Sequence, residues 1–436
     1  MPDVRSFRAL RYRPEAVRDL AAVVAPPYDV ISPEQQRALL ARDARNVVRL
    51  DLPEVGPGEE PDERYRRAAR TLAAWRSDGT LHKDPRPAIY VYEQTYRVPG
   101  SDVERRQRGF FGRLRLEPFG AGSGVLPHER TLAAPREDRY RLLRATGVNT
   151  SPVVGLFPDS DGIATGLLDE IARRRSDVDV TDDDGARHRM WLVTDDGSPD
   201  GEAARLSAQA GRDPIMIADG HHRYETALRY RDERRMSRSC EEDPAFDYIL
   251  MHFLPATAQL TILPTHRVAR NVADADTLID RATSLFEVTP ADRAMLEDCF
   301  GPVLTDGGNA RFGVWTRAGG AQLVARRDAL DPLLGSIAGE VRRLDVTLLG
   351  AALEALCSIP PEVVTSGDRV AFTKSATEAM DWVDDRREGA DAAFLLEPTP
   401  VASVMAVADA GDVMPQKSTY FYPKALTGLV INPHEW

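Results

Sequence analysis

The spacing of hydrophobic side chains changes along the chain, and each change predicts a different element. Residues 63–78 carry apolar side chains at helical intervals, with Leu72 and Trp75 near one face, which predicts an amphipathic helix. Residues 88–98 and 106–116 alternate apolar and polar positions, which predicts the two strands of an antiparallel hairpin. The N-terminal part of the chain is therefore predicted to mix helices with antiparallel strands.

Short apolar runs alternate with amphipathic segments from residue 152 onward. Runs typical of strands cover residues 152–157, 190–193, 214–218, 248–254, 260–263, 369–373 and 392–396, and helical segments lie near 162–175, 199–210, 222–236, 375–388 and 400–410. This alternation predicts an α+β (mixed α/β) fold. A short run at 46–53 predicts one more strand, which has a polar end.

We predict three parts from these patterns. Residues 1–150 form an N-terminal mixed α/β part that contains the hairpin, and residues 151–270 form an α/β core. Residues 271–436 form a C-terminal α/β part, whose loop near residues 414–419 is predicted to return to the core.

One turn carries the strongest sign of chemistry. Its residues are Asp219, Gly220, His221, His222 and Arg223, which follow an apolar run and precede a helical pattern. The sequence therefore predicts a strand, a tight glycine turn and a helix start. A helix start presents unpaired N–H groups and a positive dipole end, and glycine lets a ligand approach the backbone closely. With two imidazoles and a guanidinium, this arrangement suits a phosphate or another polyanion.

The same turn also has an ordinary structural interpretation. Asp followed by Gly is common turn chemistry, and an Asp or His side chain can simply cap a helix. His221 and His222 are a poor zinc motif, because neighbouring helical residues lie about 100° apart around the axis. No His-x-x-x-His spacing occurs in the chain. The phosphate-site and capping interpretations both stay open at this stage.

Composition narrows the class of protein. The chain has 436 residues and a formal net charge of −12, which argues against broad binding to nucleic acid or to anionic membranes. The three cysteines, at positions 240, 299 and 357, form no metal or disulfide motif. No N-terminal signal peptide and no apolar window of about 18 residues is present, which predicts a cytoplasmic protein.

Further polar segments add candidates for the same pocket. They are Tyr28 and Asp29 after two prolines, His128 and Glu129, Arg139 in a polar helix, His266 and Arg267 where a second strand is expected to end, and Lys417, Ser418 and Thr419 near the C-terminus. The Lys-Ser-Thr triplet lacks the glycine-rich lead-in of a P-loop. As a loop with a lysine and two hydroxyls, it could still contact a phosphate.

Six of these segments occur in the same order in a known family, which the chain resembles over essentially its whole length. They are Ala25-Pro-Pro-Tyr-Asp-Val-Ile31, Asn46-Val-Val-Arg-Leu50, His128-Glu-x-Thr131, Asp219-Gly-His-His-Arg-Tyr-Glu-Thr-Ala227, Pro264-Thr-His-Arg-Val268 and Met414-Pro-x-Lys-Ser-Thr-x-Phe-Tyr-Pro-Lys424. The family is a prokaryotic domain of unknown function, number ten-fifteen in that series. The resemblance implies membership but no activity.

The Asp-Gly-His-His-Arg turn also resembles the signature of the ParB/sulfiredoxin superfamily. Members include ParB-type nucleotide-binding segregation proteins, sulfiredoxin and a free-serine kinase. The resemblance implies a nucleotide-binding core in which Gly220, His221, His222 and Arg223 cradle phosphates. Sulfiredoxin needs a reactive cysteine at this turn, which the chain lacks, and no helix-turn-helix segment is evident. The kinase-like branch therefore fits best.

These observations predict a nucleotide-dependent phosphotransferase or nucleotidase that acts on a small metabolite, such as the amino acid serine. In this hypothesis the 220–223 turn and the Lys417-Ser418-Thr419 loop bind the phosphates of ATP, ADP or another nucleotide. Asp219, Glu129 and His221 are the predicted catalytic residues, with Asp219 also a candidate ligand of Mg²⁺. Tyr28, Asp29, His128, Arg139, His266 and Arg267 are further candidates for the pocket.

Two other classes of function remain open from the sequence. A nucleotide-sensing module would use the same turn without chemistry and would signal through the middle region or a protein partner. A metal-dependent hydrolase would be built from His128, Glu129, Asp219 and His221. Stoichiometric transition metal in the purified protein is the observation that would favour the hydrolase.

Overall fold

The computed structural model of the chain describes residues 1–56, 58–120, 122–129, 133–237, 242–257, 260–301 and 310–436. Strands and helices alternate throughout, so the predicted α+β class is confirmed. Thr131, which belongs to the third family motif with His128, and Cys240 lie outside the described residues.

The strands are β1 (Val4–Arg5), β2 (Leu10–Tyr12), β3 (Leu81–Lys83), β4 (Ala88–Arg97), β5 (Glu104–Arg115), β6 (Val125–Pro127), β7 (Val148–Asn149), β8 (Val153–Phe157), β9 (Val178–Thr181), β10 (Arg187–Thr194), β11 (Ile215–Asp219), β12 (Tyr248–Pro255), β13 (Thr261–Leu263), β14 (His266–Arg270), β15 (Phe286–Ala291), β16 (Arg311–Thr316), β17 (Gly319–Ala325), β18 (Val370–Thr373), β19 (Ala390–Leu396), β20 (Tyr420–Tyr422) and β21 (Asn432–Pro433).

The helices are α1 (Pro33–Arg42), α2 (Val48–Asp51), α3 (Glu63–Ser77), α4 (Ala133–Thr146), α5 (Ile163–Ile171), α6 (Glu202–Ala210), α7 (His221–Ser237), α8 (Leu278–Ala282), α9 (Arg293–Phe300), α10 (Arg327–Leu330), α11 (Asp345–Cys357), α12 (Pro361–Ser366), α13 (Ala376–Asp384) and α14 (Val401–Asp409). None of the helices in the described part of the chain is long and apolar enough to cross a membrane.

The larger sheet positions the start of α7. Within the described residues it has nine strands in the order β6-β11-β8-β12-β5-β4-β10-β9, with β1 also paired to β5. The pairs β6–β11 and β8–β12 are parallel, and Pro127 lies opposite Ile217. Because the chain leaves parallel strands at the same edge of a sheet, the segments that follow β6 and β11 emerge side by side. His128 and Asp219 therefore come from adjacent strand ends.

A second, antiparallel sheet has the order β15-β17-β16-β19-β14-β18. One hydrophobic core joins it to the larger sheet, since Met216 and Leu254 share that core with Phe312 and Leu396. The short pair β13–β20 then brings the C-terminal segment back across this junction, with Ile262 opposite Phe421. The packing of the two sheets thus sets where residues 414–424 lie.

The apolar faces of the elements follow the predicted periods. Tyr224 and Ala227 of α7 pack with Ile217 and Phe253 of the sheet below, and the alternation in β4 and β5 puts side chains on both sheet faces into cores. The predicted hairpin is confirmed by β4 and β5, whose register pairs Tyr92 with Gly109. The larger sheet takes strands from both sides of residue 150, while the three-part division itself stays a prediction.

Two local predictions are wrong. The run at 46–53 contains no strand, and Val48–Asp51 within it form the one-turn helix α2. The Asn46 side chain favours this turn, because it accepts a hydrogen bond from the Val48 N–H over 3.0 Å and its amide donates to the Ala22 carbonyl. A short apolar run does not distinguish the two structures. His266 and Arg267 do not end a strand but begin β14, which pairs with both β18 and β19.

Candidate functional site

The turn after β11 begins helix α7 at His221. The Tyr224 N–H donates to the Gly220 carbonyl over 3.0 Å, which closes the first turn. The N–H groups of residues 221–223 therefore have no partner within the helix, as at any helix start. The positive end of the helix dipole lies here, beside the ends of β6 and β11.

Gly220 is required at this turn for two reasons. Its φ is +89°, in the left-handed region that favours glycine. In addition, a Cβ atom at this position would lie 2.9 Å from Nε and 3.1 Å from Cζ of Arg223. The guanidinium of Arg223 thus packs directly against the Gly220 backbone.

Arg223 is buried, and groups of the protein hold its guanidinium. Its Nη1 donates to the Pro152 carbonyl and its Nη2 donates to Asp219 Oδ2 over 2.5 Å. Its Nε has no hydrogen-bond partner among the described residues. The predicted phosphate ligand is therefore a guanidinium that already bridges two parts of the protein.

Asp219 lies between two cations. Lys424 Nζ donates to its Oδ1 over 2.5 Å, while Arg223 binds its Oδ2. Burial alone would raise the pKa of this carboxyl, but the charges of Lys424 and Arg223 outweigh burial and hold the pKa of Asp219 well below its ordinary value. Asp219 is thus an ionised anchor with both oxygens engaged.

The two buried histidines of the site are neutral and fixed in position. His128 Nδ1 donates to the Ile217 carbonyl over 2.5 Å, and its Nε2 accepts from the Thr419 hydroxyl over 3.0 Å. The His128 N–H in turn donates to His221 Nε2 over 3.3 Å. Burial lowers the pKa of both imidazoles, and each nitrogen that accepts a hydrogen bond must be unprotonated.

His222 faces a different environment from His221. It is half-buried, and burial lowers its pKa, as do the charges of Lys417 and Arg136, whereas Glu225 and Asp29 oppose that shift. Charges from three other segments therefore act on this imidazole at the start of α7.

The C-terminal loop that follows α14 docks onto the end of β6. The Met414 N–H donates to the His128 carbonyl over 2.7 Å, and the Ser418 N–H donates to Glu129 Oε1 over 3.2 Å. The Thr419 hydroxyl reaches His128, as described above. Lys417 has a φ of +58° and lies exposed at the apex of this loop. The loop is thus fixed through its backbone, which leaves the Lys417 side chain at the surface.

Arg267 and His266 support this loop from β14. Buried Arg267 donates through Nη2 to the Lys417 carbonyl over 3.3 Å, and through Nη1 to the Thr265 carbonyl. His266 Nδ1 accepts the Leu396 N–H over 3.2 Å, and burial lowers the pKa of His266 to about 3. Both residues hold the second sheet and the loop in place.

The Pro-Pro-Tyr-Asp loop and Arg139 form another side of the site. The guanidinium of Arg139 lies over the Tyr28 ring, 3.9 Å from its centre, and Nη1 donates to the Asp51 carbonyl over 2.5 Å. Burial raises the pKa of Tyr28 to about 12, although the charges of Arg223 and Arg139 oppose it. Asp29 is exposed beside this pair.

Two residues of the site carried no predicted role. Lys424, quoted only as part of a motif, binds Asp219, and the carboxylate of Asp51 accepts hydrogen bonds from Thr150 and Ser151 under Arg139. No local pattern marks these pairs, because each partner lies 99 residues or more away in the chain. Scarcity of lysine was the signal that could have drawn attention to Lys424.

The arrangement combines an anion-binding helix start with cations from several segments. Within the described ranges, no group of three His, Cys, Asp or Glu side chains is arranged to hold a metal ion. A cleft of about 910 Å³ lies elsewhere, lined by residues 1–8 together with Arg113, Gly211 and Trp436, and it includes none of the predicted site residues.

Fold and site together define an α+β protein with a cationic site at a helix N-terminus. The family described as "Protein of unknown function (DUF1015)" matches residues 4–347, which is well over half of the chain. The chain belongs to this family, and the predicted membership is confirmed. No curated protein matches the chain.

Several solved structures are similar to the chain at 12% identity. A conserved hypothetical protein from Pyrococcus furiosus covers 68% of this chain and 87% of its own, with a TM-score of 0.32. For a free serine kinase in complex with AMP, the match covers 68% of this chain and 83% of the kinase, with a TM-score of 0.34. For SbnI with a C-terminal truncation, from Staphylococcus aureus, it covers 70% of this chain and 83% of SbnI, with a TM-score of 0.35. Scores this low establish no shared fold or activity, and the ParB/sulfiredoxin-like form of the core stays a prediction.

Proposed function

We propose that the chain binds a nucleotide at the start of α7 and transfers or cleaves a phosphoryl group. The observation that carries this proposal is the convergence of His222, Lys417 and Lys424 on a helix start that follows a buried strand. Helix N–H groups and charged donors act together on an anion, which suits phosphate. A small metabolite, with serine as the first to test, is the acceptor.

In this proposal a phosphate lies against the N–H groups of the first turn of α7. His222 and Lys417 donate to its oxygens. Arg223 and Lys424 both pair with Asp219 and do not contact this phosphate directly. Because their two positive charges exceed the one negative charge of Asp219, they leave a net positive field at the turn. Positioning and charge neutralisation do most of the work in phosphoryl transfer, and this site supplies both.

A magnesium ion accompanies nucleotide phosphates in such reactions and bridges their oxygens. Asp219 fits the role of its ligand poorly, because Arg223 and Lys424 already hold both carboxylate oxygens. We therefore assign the reactive carboxylate to Asp29, which is exposed and whose charge acts on His222. It would bind the ion or accept the proton of the acceptor hydroxyl.

Glu129 and His221 have supporting roles in this proposal. Glu129 holds the Ser418 N–H, and His221 accepts the His128 N–H, so each links the C-terminal loop or β6 to the turn. Ser418 is buried, and its hydroxyl donates to the Pro415 carbonyl. Thr419 is likewise engaged with His128, which leaves Lys417 as the phosphate ligand of the loop.

A second candidate function is a nucleotide-sensing module without chemistry. The observation that favours it is that Asp219, the carboxylate nearest the turn, is locked in two ion pairs. A site that only binds needs no free base. The hydrolase alternative receives no such support, because His128 and Asp219 use both of their ligand atoms in hydrogen bonds within the protein, and His221 uses its Nε2.

Binding is tested by thermal shift with ATP, ADP, CTP, GTP and pyrophosphate, each with and without Mg²⁺. A ligand that binds only the native state raises its apparent stability. We expect a shift in the wild type that falls in Lys417→Met and His222→Ala. Lys83→Met is the matched control, since Lys83 donates to a main-chain oxygen of Trp436, away from the site. No shift with any nucleotide would refute the proposal.

The enzyme and the sensor differ in the effect of Asp29→Asn. For a phosphotransferase we expect turnover of ATP with serine or another acceptor to be lost while nucleotide affinity changes less than about threefold, since the carboxylate acts on the reaction. Turnover that is absent in the wild type with every acceptor tested, together with tight nucleotide binding, would favour the sensor.

A further inference from the structure

Lysine is almost absent from this chain. The sequence has 56 lysine and arginine residues, of which only four are lysine, at positions 83, 374, 417 and 424. Arginine therefore serves as the cation nearly everywhere. A lysine ammonium is a compact point charge, and its interactions differ from those of a planar guanidinium.

Two of these four lysines lie over one aromatic ring, and the charge of a third, Lys417, acts on one of them. The Lys374 Nζ lies 4.0 Å from the centre of the Tyr420 ring, and the Lys424 Nζ lies 4.6 Å from it. The Lys417 ammonium is close enough for its charge to act on Lys374. Lys374 lies in the turn between β18 and α13, whereas Lys417 and Lys424 lie in the C-terminal segment, in the docked loop and just after β20.

The charges around Lys374 are unbalanced. Desolvation lowers its pKa, the ammonium groups of Lys424 and Lys417 lower it further, and Glu378 and Asp29 oppose the shift. Among the described residues, Lys424 pairs with Asp219, whereas no carboxylate lies within ion-pair distance of Lys374 or Lys417. Like charges held together without counterions are unfavourable, and a bound polyanion relieves that repulsion.

We propose that Lys374, Lys417 and Lys424 form a subsite for a chain of linked phosphates that runs across Tyr420 from the start of α7. This subsite rests on the proposed function and assigns it a substrate class, the triphosphates. Lys374 is the residue that distinguishes a triphosphate from shorter anions. It lies beyond residues 4–347, the range that the family matches.

The geometry favours a linked polyphosphate over a single anion. Lys424 is tied to Asp219 beside the helix start, while Lys374 reaches the same ring from the second sheet. An ammonium is a point charge and cannot bind two oxygens in a fixed fork, so separated ammonium groups suit an anion whose charges are spaced along it. A phosphate bound at α7 alone would leave Lys374 without a counterion.

The first experiment compares phosphate, pyrophosphate and tripolyphosphate by titration calorimetry on the full chain. For Lys374→Met we expect the affinity for tripolyphosphate to fall about tenfold or more, as for loss of one charged hydrogen bond, with the affinity for phosphate unchanged. Lys374→Arg should retain part of the affinity, and Lys83→Met should bind as the wild type. Equal losses for all three anions, or no loss for tripolyphosphate, would overturn the proposal.

A second measurement uses the small number of lysines. Pyridoxal 5′-phosphate condenses with a neutral lysine amine, with loss of water, and borohydride reduces the imine to a stable secondary amine that mass spectrometry locates. We expect tripolyphosphate to protect Lys374, Lys417 and Lys424 in the wild type and to leave the labelling of Lys83 unchanged. Protection of none of the three, or of Lys83 to the same degree, contradicts the subsite.

The outcomes separate this subsite from the proposed function. Protection by tripolyphosphate without any nucleotide binding would refute the nucleotide proposal and leave the polyphosphate site standing. A different result would refute the subsite alone. In that case nucleotide binding would depend on Lys417, while Lys374→Met would leave the affinity for both triphosphates and diphosphates unchanged.

Discussion

Replacing Gly220 by alanine tests the physical basis of the site most directly. The substitution has two separate effects, since the φ of +89° disfavours any side chain and the new Cβ would lie 2.9 Å from Nε of buried Arg223. The guanidinium would have to move, and with it the bonds to Asp219 and the Pro152 carbonyl.

The magnitude follows from these two effects. The left-handed backbone conformation destabilises an alanine by about 1–2 kcal/mol. Alanine also restricts the unfolded chain more than glycine does, which offsets part of this penalty and leaves a net loss of about 1 kcal/mol in the free energy of unfolding. Weakening one buried, charge-assisted hydrogen bond of Arg223 adds about 2 kcal/mol. We therefore expect Gly220→Ala to lower the free energy of unfolding by about 3 kcal/mol.

Gly162→Ala is the matched control. Gly162 precedes α5 with a φ of +71°, and no atom lies within 4 Å of a Cβ built on it. Gly162→Ala should lower the free energy of unfolding only by the backbone contribution, about 1 kcal/mol. Urea unfolding followed by tryptophan fluorescence measures both variants, and equal losses for the two would refute the argument that Arg223 packing requires a glycine.

Three further predictions concern pH and single contacts. The pKa of Asp219 is held below its ordinary value, so its ion pairs stabilise the fold above about pH 4. The difference in free energy of unfolding between wild type and Asp219→Asn should therefore be full at pH 7 and should narrow as the pH falls below about 4 in acid unfolding. Burial lowers the pKa of His252 to about 3, so the folded protein keeps this imidazole neutral and loses stability as the pH falls below the ordinary pKa of histidine. Between pH 7 and 5, the free energy of unfolding in urea should fall by about 2 kcal/mol more for the wild type than for His252→Leu. Thr419→Val removes the hydroxyl that donates to His128, and we expect a loss of about 1 kcal/mol in the same assay, with an unchanged value arguing against that hydrogen bond.

Periodicity alone was enough for several of the longer elements. The helix at 63–78, the hairpin of β4 and β5, and the strand–turn–helix at 214–223 were all predicted because local spacing decides which side chains share a face. The one-turn helix α2 was missed, since the Asn46 side chain that precedes it bonds with the distant Ala22 carbonyl and short apolar runs suit either structure.

The sequence by itself determined where the chemistry-bearing turn lies and why it contains glycine, because the order of strand, Asp-Gly and helix is local. Only the tertiary structure decided what each charged side chain does there. Asp219 and Lys424 are 205 residues apart and meet because the core shared by the two sheets places the C-terminal segment beside the end of β11. The same packing brings Lys374 to Tyr420. Charge pairing across such distances depends on how sheets pack, which no local pattern in the sequence encodes.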